Sequence, residues 1–521
     1  MTLPRSRRRS AAALGLAAVL LTAACGGGDD GGSGGGSASG SSLVIAQNEP
    51  PATFDPVQAD NSTVDEVVLP LYDTLVDYDA ANELYNELAT DVTVADDGLS
   101  IAVTLRDDVT FHDGAPLTAT DVAYTLDRVK RLGLGVNSNL TSYDSTDVTS
   151  DTELTINLTA PDATMVPALS RVYVLNSALV EENAGDDDGQ SWLATHEAGS
   201  GPYTLESYTS NQEAVFAQYA DYWQGFDGQA EEVVISYLPE SGTQRDELRA
   251  GDVDIAMDIA TADLASFESD DGFVVDKADT LVQLYMYFDM EEGPTTDPRV
   301  REALRLAYDY PAHVDSILAG NGEIAQGPLP IAMSCHADIP AGEQDLDRAE
   351  QLFAEAGVTQ LELHYLSAIE EMDRAAASLQ SSLRDIGVTL DLTSVTYPDY
   401  AEEAATGATR PDIGVIYAFP AFPDAAALLY PGFATASIGG QNFSGYSNPQ
   451  VDALLAQAGA STDDAERCDL YTQVQEQIEA DMVAINVADP KAVAVMRSGL
   501  EDFGYRAAHT STVDVYSIKV S

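Results

Sequence analysis

The sequence predicts an α/β protein built from two or three domains. Three observations carry this reading. Residues 43–521 number 479, enough for more than one core, and 45% of the chain is hydrophobic, a globular proportion. Apolar residues alternate with a period of two in several stretches of the first half, the mark of half-buried strands. In the second half a strand at 361–365, a helix at 373–386 and a strand at 390–395 follow one another, and such β-α-β alternation argues a mainly parallel lobe.

In chain order, 43–47 is a short apolar strand, ended by the turn chemistry of Asn48-Glu-Pro-Pro51 and Phe54-Asp-Pro56. Across 64–76, Val67, Val68, Leu71 and Leu75 have helical spacing, and Pro70 kinks or splits the element. Residues 100–106 alternate as a strand that 110–112 continue, and Asp113-Gly114 turns the chain. Thr118 then caps a helix with Asp121 in its first turn and Val122, Tyr124, Leu126 and Val129 along its body. A strand at 152–158 precedes the breaker Gly199-Ser-Gly-Pro-Tyr203, and strands at 203–208, 213–217 and 233–237 follow it. Residues 241–250 read as a helix leading to a short strand at Ile255, and 281–289 as a buried strand. Pro298 opens a helix with Val300, Ala303, Leu304 and Ala307 on one face. An amphipathic helix at 345–357 closes on Gly357, and helices at 451–458 and 468–482 complete the chain.

The amino-terminal segment is of another kind. Arg5, Arg7, Arg8 and Arg9 precede an uncharged stretch at 11–24, and a basic region, a short apolar region and small residues make a secretory signal peptide. At 14 residues the stretch is shorter than the ~20 that a membrane-spanning helix needs. Thr22-Ala23-Ala24-Cys25 resembles the lipobox of bacterial lipoproteins, with Leu21 one place further back than that motif prefers. The resemblance makes Cys25 the lipidation site; the alternative is an ordinary cleaved signal with an incidental cysteine. Residues 25–42, rich in Gly and Ser, read as a flexible tether with a reach of about 20–25 Å.

The formal net charge is −62, and removing residues 1–24 takes away four arginines and no acids. Lys130, Lys277, Lys491 and Lys519 are the only lysines. Such a chain does not bind nucleic acid, and anionic headgroups repel it, so a lipid on Cys25 would be the main means of holding it at a membrane. The acids are spread along the chain and read as a solvated surface first, with attraction of cationic solutes as the second reading. Beyond Cys25 only Cys335 and Cys468 remain, and in an exported chain they form one disulfide or stay as two buried thiols.

The motifs now converge on one family. Asp97-Gly98-Leu99, Leu105-Arg106-Asp107-Asp108-Val109-Thr110-Phe111-His112-Asp113-Gly114, Pro116-Leu117-Thr118-Ala119, Gly199-Ser200-Gly201-Pro202-Tyr203, Tyr222-Trp223, Leu248-Arg249-Ala250-Gly251-Asp252, Asp297 to Asp309, and Gly445-Tyr446-Ser447-Asn448-Pro449 occur in order over about 350 residues. Together they resemble the large solute-binding proteins of peptide/nickel-type ABC importers. That resemblance implies a periplasmic-binding-protein-like fold of the large type II class, with two lobes closing at a hinge and an extra domain inserted in the first. Lobe I would comprise 43–70, 199–280 and 497–521, the inserted domain 71–198, and lobe II 281–496. The motif residues themselves read as structural: Phe111 in the core, Gly114 in a turn, His112 as a surface or cap residue, and Arg301 in an ion pair.

The resemblance also implies the function: capture of a solute, a peptide or peptide-like compound, and its delivery to an ABC permease with its ATPase subunits, by a monomer without cofactor, anchored outside the cytoplasmic membrane. Peptide binders of the family carry a W-x-x-D-Y-x-D-P type stretch whose first Asp holds the peptide ammonium. Here the matching stretch runs from Tyr417 to Ala425, and that Asp falls on Pro420 or Ala421. Asp424 is the substitute carboxylate, or the cap of a turn after Pro423. Tyr417, Phe419 and Phe422 offer stacking area or belong to the lobe core. Glu49, in the turn after the first strand, joins them as a candidate ligand contact. A secreted hydrolase is the second class of function, but the mature chain has no H-E-x-x-H and no credible nucleophile elbow. Nickel binding is the third; six scattered histidines neither support nor exclude it.

Overall fold

A computed structural model describes residues 41–59, 62–367, 369–407, 409–501, 504–509 and 512–520. Cys25, the signal peptide and nearly all of the tether lie outside the described residues; Ser42, the last tether residue, is already in the first strand.

Two large sheets organise the molecule. The first has seven strands, in the order Phe273–Ala278, Ala492–Arg497, Ile255–Ala256, Ser42–Gln47, Glu232–Tyr237, Glu213–Gln218, Tyr203–Thr209. Its centre is parallel, with Leu43 opposite Val233 and Ile45 opposite Ile235, all four fully buried. The second has six strands, in the order Gly322–Ile324, Ala484–Pro490, Gln283–Phe288, Ile413–Ala418, Gln360–Leu366, Thr389–Val395. Only the pairs that Gln360–Leu366 makes with Thr389–Val395 and Ile413–Ala418 are parallel; the other three ladders are antiparallel. The expectation of a mainly parallel lobe is therefore corrected to a mixed sheet. One β-α-β unit does not constrain the strands that arrive from elsewhere in the chain.

The chain leaves the first sheet after Ala278 and returns between Pro490 and Ala492. The two crossings are tied together. Thr280 Oγ1 donates to Pro490 O at 2.6 Å, and Lys491 Nζ meets Asp279 Oδ1 at 2.7 Å. Because Ala492–Arg497 pairs with Phe273–Ala278, it belongs to the first sheet, and the division that left 281–496 in lobe II is corrected at this strand.

The inserted segment forms a four-stranded sheet, in the order Ala89–Val94, Ser100–Leu105, Glu153–Leu158, Tyr143–Val148, with helix Ala119–Leu132 against it. That helix starts as expected: Thr118 and Asp121 make a reciprocal capping box, and Gly133 closes it in the left-handed region. The insert has no core of its own. Ile101, Val103, Leu126 and Ile156 share one apolar cluster with Leu43, Ile45, Phe216 and Val233. Each such side chain contributes about 1.5–3 kcal/mol on burial. The expected helix over 64–76 is shorter: Ser62–Val68 ends two residues before Pro70, whose ring cannot continue it. Residues 110–112 make a single bridge rather than a strand.

Motifs far apart in sequence lock onto each other. His112 N–H donates to Gly199 O at 3.0 Å, while its Nδ1 and Nε2 lie 2.8 Å from Glu197 Oε1 and 3.0 Å from Gly201 O. Burial would lower the pKa of this ring, but the hydrogen bond and charge of Glu197 outweigh it and raise it. His112 is thus an interior tie rather than a surface residue. Arg106 lies over the Trp223 ring, 3.3 Å from its centroid. Arg301 donates to the carbonyls of Thr295, Thr296 and Asp481 instead of making the expected ion pair. Tyr446 and Asn448 both donate to the Asp481 carboxylate, at 2.6 and 2.8 Å.

Candidate functional site

Two cavities open between the lobes, and the segment from Tyr417 to Phe422 runs from one to the other. It continues strand Ile413–Ala418, which is held centrally in the second sheet. Gly414 is required there, because a Cβ would come within 2.2 Å of the Tyr287 ring.

The larger cavity, about 660 Å³, lies between the inserted segment and the second lobe. Tyr397, Phe419 and Tyr430 line one wall and are 58%, 50% and 50% exposed, among the most exposed large apolar side chains described. Three aromatic rings left open inside one cavity are an unpaid hydrophobic surface that suits an apolar ligand. The facing wall is small and polar: Asn139, Ser142 and Asp162. Asp162 is already satisfied by the Ser142 hydroxyl at 2.6 Å and by Thr164. The walls touch at one edge, where Ala163 N–H donates to Gly459 O at 2.9 Å.

Beneath this cavity lies a buried charge network. Arg171 donates to both oxygens of Asp65, at 2.6 and 2.7 Å, to Ala59 O and to His509 Nδ1. His509 Nδ1 therefore accepts, and Nε2–H donates to Asp77 Oδ1 at 2.8 Å. Nearby, Arg128 holds Asp55 with two bonds of 2.7 and 2.8 Å at full burial. Removing one partner of such a pair strands a charge, so these residues fix the floor of the site.

The smaller cavity, about 320 Å³, sits at the hinge. Asn48, Glu49, Glu66 and Asp258 line it from the first lobe, and Tyr417 from the second, with Thr280 and Lys491 of the crossings between. Tyr417 O–H donates to Glu371 Oε2, which fixes the ring.

The structure thus divides the residues singled out from sequence. Glu49 and Tyr417 share the hinge cavity, and Phe419 and Phe422 line the larger one. Phe422 is only 4% exposed and packs into the core of the first lobe, so it seals the cavity floor more than it offers a free face. Asp424 lines neither cavity. Its Oδ2 pairs with Arg467 at 2.6 Å and its Oδ1 accepts from Ala426 N–H, so the turn-cap reading describes it and the carboxylate is not free for a ligand. Cys335 and Cys468 are joined in a disulfide, with Cα atoms 4.8 Å apart. It anchors helix Asp464–Asp481 beside Arg467, and Gln475 strengthens the anchor by binding Cys335 O and Ala337 N–H. Among the described residues no group of three or more His, Cys, Asp or Glu is placed to hold a metal ion.

Sequence reasoning missed Glu66, Asp258, Tyr397 and Tyr430. Glu66 carried a signal: Asp65-Glu66 interrupts the apolar run of Val64, Val67 and Val68, and an acid inside a buried stripe needs a partner or a purpose.

The family model of the bacterial extracellular solute-binding proteins, family 5, matches residues 83–440. The chain belongs to that family. As a family 5 solute-binding protein it is 27% identical over 473 residues to the probable D,D-dipeptide-binding periplasmic protein DdpA of Escherichia coli K12, covering 88% of this chain and 91% of that one. It is 26% identical over 475 residues to the glutathione-binding protein GsiB of Pectobacterium atrosepticum, with the same coverage. Among solved structures, the periplasmic binding protein DppA of Helicobacter pylori, in complex with peptide STSA, superposes with a TM-score of 0.79. At 21% identity it covers 92% of this chain and 98% of its own, a likeness that establishes the two-lobed α/β fold. The chain is a solute-binding protein of the extracellular type.

Proposed function

We propose that this family 5 protein captures a peptide or peptide-like solute between its lobes and delivers it to an ABC permease and its ATPase subunits. It works as a monomer held to the outer face of the cytoplasmic membrane by lipid on Cys25. The observation that carries the reading is the aromatic wall of Tyr397, Phe419 and Tyr430, exposed inside a cavity of about 660 Å³ whose other wall belongs to a different part of the fold. A ligand touching both walls favours closure by its differential contacts, and the tied crossings at Thr280 and Lys491 supply the hinge. The names of the relatives, dipeptide- and glutathione-binding, support a peptide-like solute.

Melting the mature protein against a panel of di- to pentapeptides tests this. A binder at a hundred times its Kd raises stability by about 2.7 kcal/mol and shifts Tm upward accordingly. Phe419→Ala, at a half-exposed position, should leave the ligand-free Tm unchanged and reduce the shift. No response to any peptide would overturn the peptide reading.

A further inference from the structure

Glu66 is the most anomalous side chain of the hinge cavity. It is 8% exposed, yet among the described residues no hydrogen bond or ion pair reaches its carboxyl, although it lines a cavity of about 320 Å³. A buried carboxyl without a partner costs several kcal/mol if charged, so it is either neutral or waiting for a cation. The neighbours do not supply one. Lys491 lines the same cavity but is engaged by Asp279 at 2.7 Å, with Glu323 at 3.7 Å. Arg171 is taken by Asp65. Asp258 is held by Asn48 and Gln244, and Glu49 adds a third carboxylate at the mouth. Tyr237, whose pKa is raised by burial and then by the Glu66 charge, has a buried hydroxyl that likewise lacks a partner among the described residues.

We propose that the hinge cavity seats a cationic group of the transported solute, a protonated amine, with Glu66 as its ion-pair partner and Asp258 and Glu49 as its surrounding field. This rests on the solute-binding reading above and deepens it: it names the chemistry of the ligand and puts its recognition on the first lobe. Asp424 of the second lobe is already committed to Arg467. Burial, then the charges of Asp258 and Asp65, raise the pKa of Glu66 well above that of an ordinary glutamate. That shift favours the protonated form of Glu66 in the free protein. An arriving ammonium converts it to the carboxylate, and the displaced proton goes to solvent.

Isothermal titration in phosphate and in Tris at pH 7, two buffers of different ionisation enthalpy, reads that proton. The probes are peptides with free amino groups, including lysine-containing ones, and the same peptides acetylated on every amine. The free-amine probe should bind with release of up to about one proton. Glu66→Gln should abolish the release and weaken that probe by about tenfold or more, the scale of a charged hydrogen bond lost in a buried site. Asp258→Asn should weaken it less and keep the release, and melting of both variants checks that they fold. Equal binding of free and acetylated probes, or wild-type affinity in folded Glu66→Gln, overturns this inference and leaves solute capture standing. Failure of every probe to bind the wild type overturns both.

Discussion

Asp73 is one buried carboxyl that makes stability itself depend on pH. It accepts from the Ser200 hydroxyl at 2.7 Å and the Tyr222 hydroxyl at 3.1 Å, and burial raises its pKa to about 6 in spite of these bonds. A carboxyl raised from 3.8 to about 6 on folding is bound more tightly to its proton in the folded state. Its stabilising contribution is complete below the unfolded pKa and is lost as pH rises through about 6, a total of about 3 kcal/mol. Asp73→Asn removes the titration while both hydroxyls can turn to suit the amide. Urea unfolding at steps from pH 4 to 7 should give a wild-type curve that falls by about that amount relative to the variant. A constant difference between the two would show that Asp73 ionises in the fold as freely as in the unfolded chain.

At the scale of elements, the disulfide between Cys335 and Cys468 ties an irregular segment to helix Asp464–Asp481 across a sequence separation of 133. Loop closure of that length is worth roughly 4–5 kcal/mol in the chain-entropy model. The double variant Cys335→Ser, Cys468→Ser should lower the urea midpoint by a corresponding amount without a reducing agent, and dithiothreitol should do nothing further to it. A wild-type midpoint in that variant would mean that Gln475 and its bonds hold the segment alone. Elements of this kind mark the limit of what the chain reveals. Helix Ala119–Leu132 was legible because its cap, its stripe and its terminal Gly133 are local. The strands at Leu43, Ser100 and Val233 were legible because alternation is local too. The partner of a strand is not: nothing within Gln283–Phe288 says that its neighbours on both sides run antiparallel to it. Strand Ile413–Ala418 went unread, since six residues with Gly414 in second place look like a turn until Tyr287 is seen lying across that glycine. For the site, the aromatics after Tyr417 stood out by composition. That Phe419 faces open space while Phe422 is sealed depends on what the first lobe brings against them, and so does the isolation of Glu66.

For the whole molecule, the proposed attachment through Cys25 and solute binding are separable. No helix among the described residues is long and apolar enough to cross a membrane, and the net charge of −62 disfavours adsorption to anionic lipid. Cys25→Ala should therefore move the protein from the membrane fraction to the medium, scored by immunoblot, with ligand affinity unchanged; retention at the membrane would overturn the lipidation reading. The junction of host and insert has a different consequence. Gly201 N–H donates to Leu71 O and Tyr203 N–H to Pro70 O, each at 3.0 Å, and a Cβ on Gly199 would stand 1.8 Å from Leu71 O. The chain between Leu71 and Gly199 thus starts and ends at one point of the fold. Whatever is threaded between those two glycines and Leu71 leaves every strand of the first sheet on its path. The protein carries a ready-made splice point, and the excursion is a cassette in topology although not in energy. What opposes its exchange is the apolar seam behind Ile101 and Leu126 together with the buried pairs Arg128–Asp55 and Arg171–Asp65, so a replacement would have to match a surface and its charges.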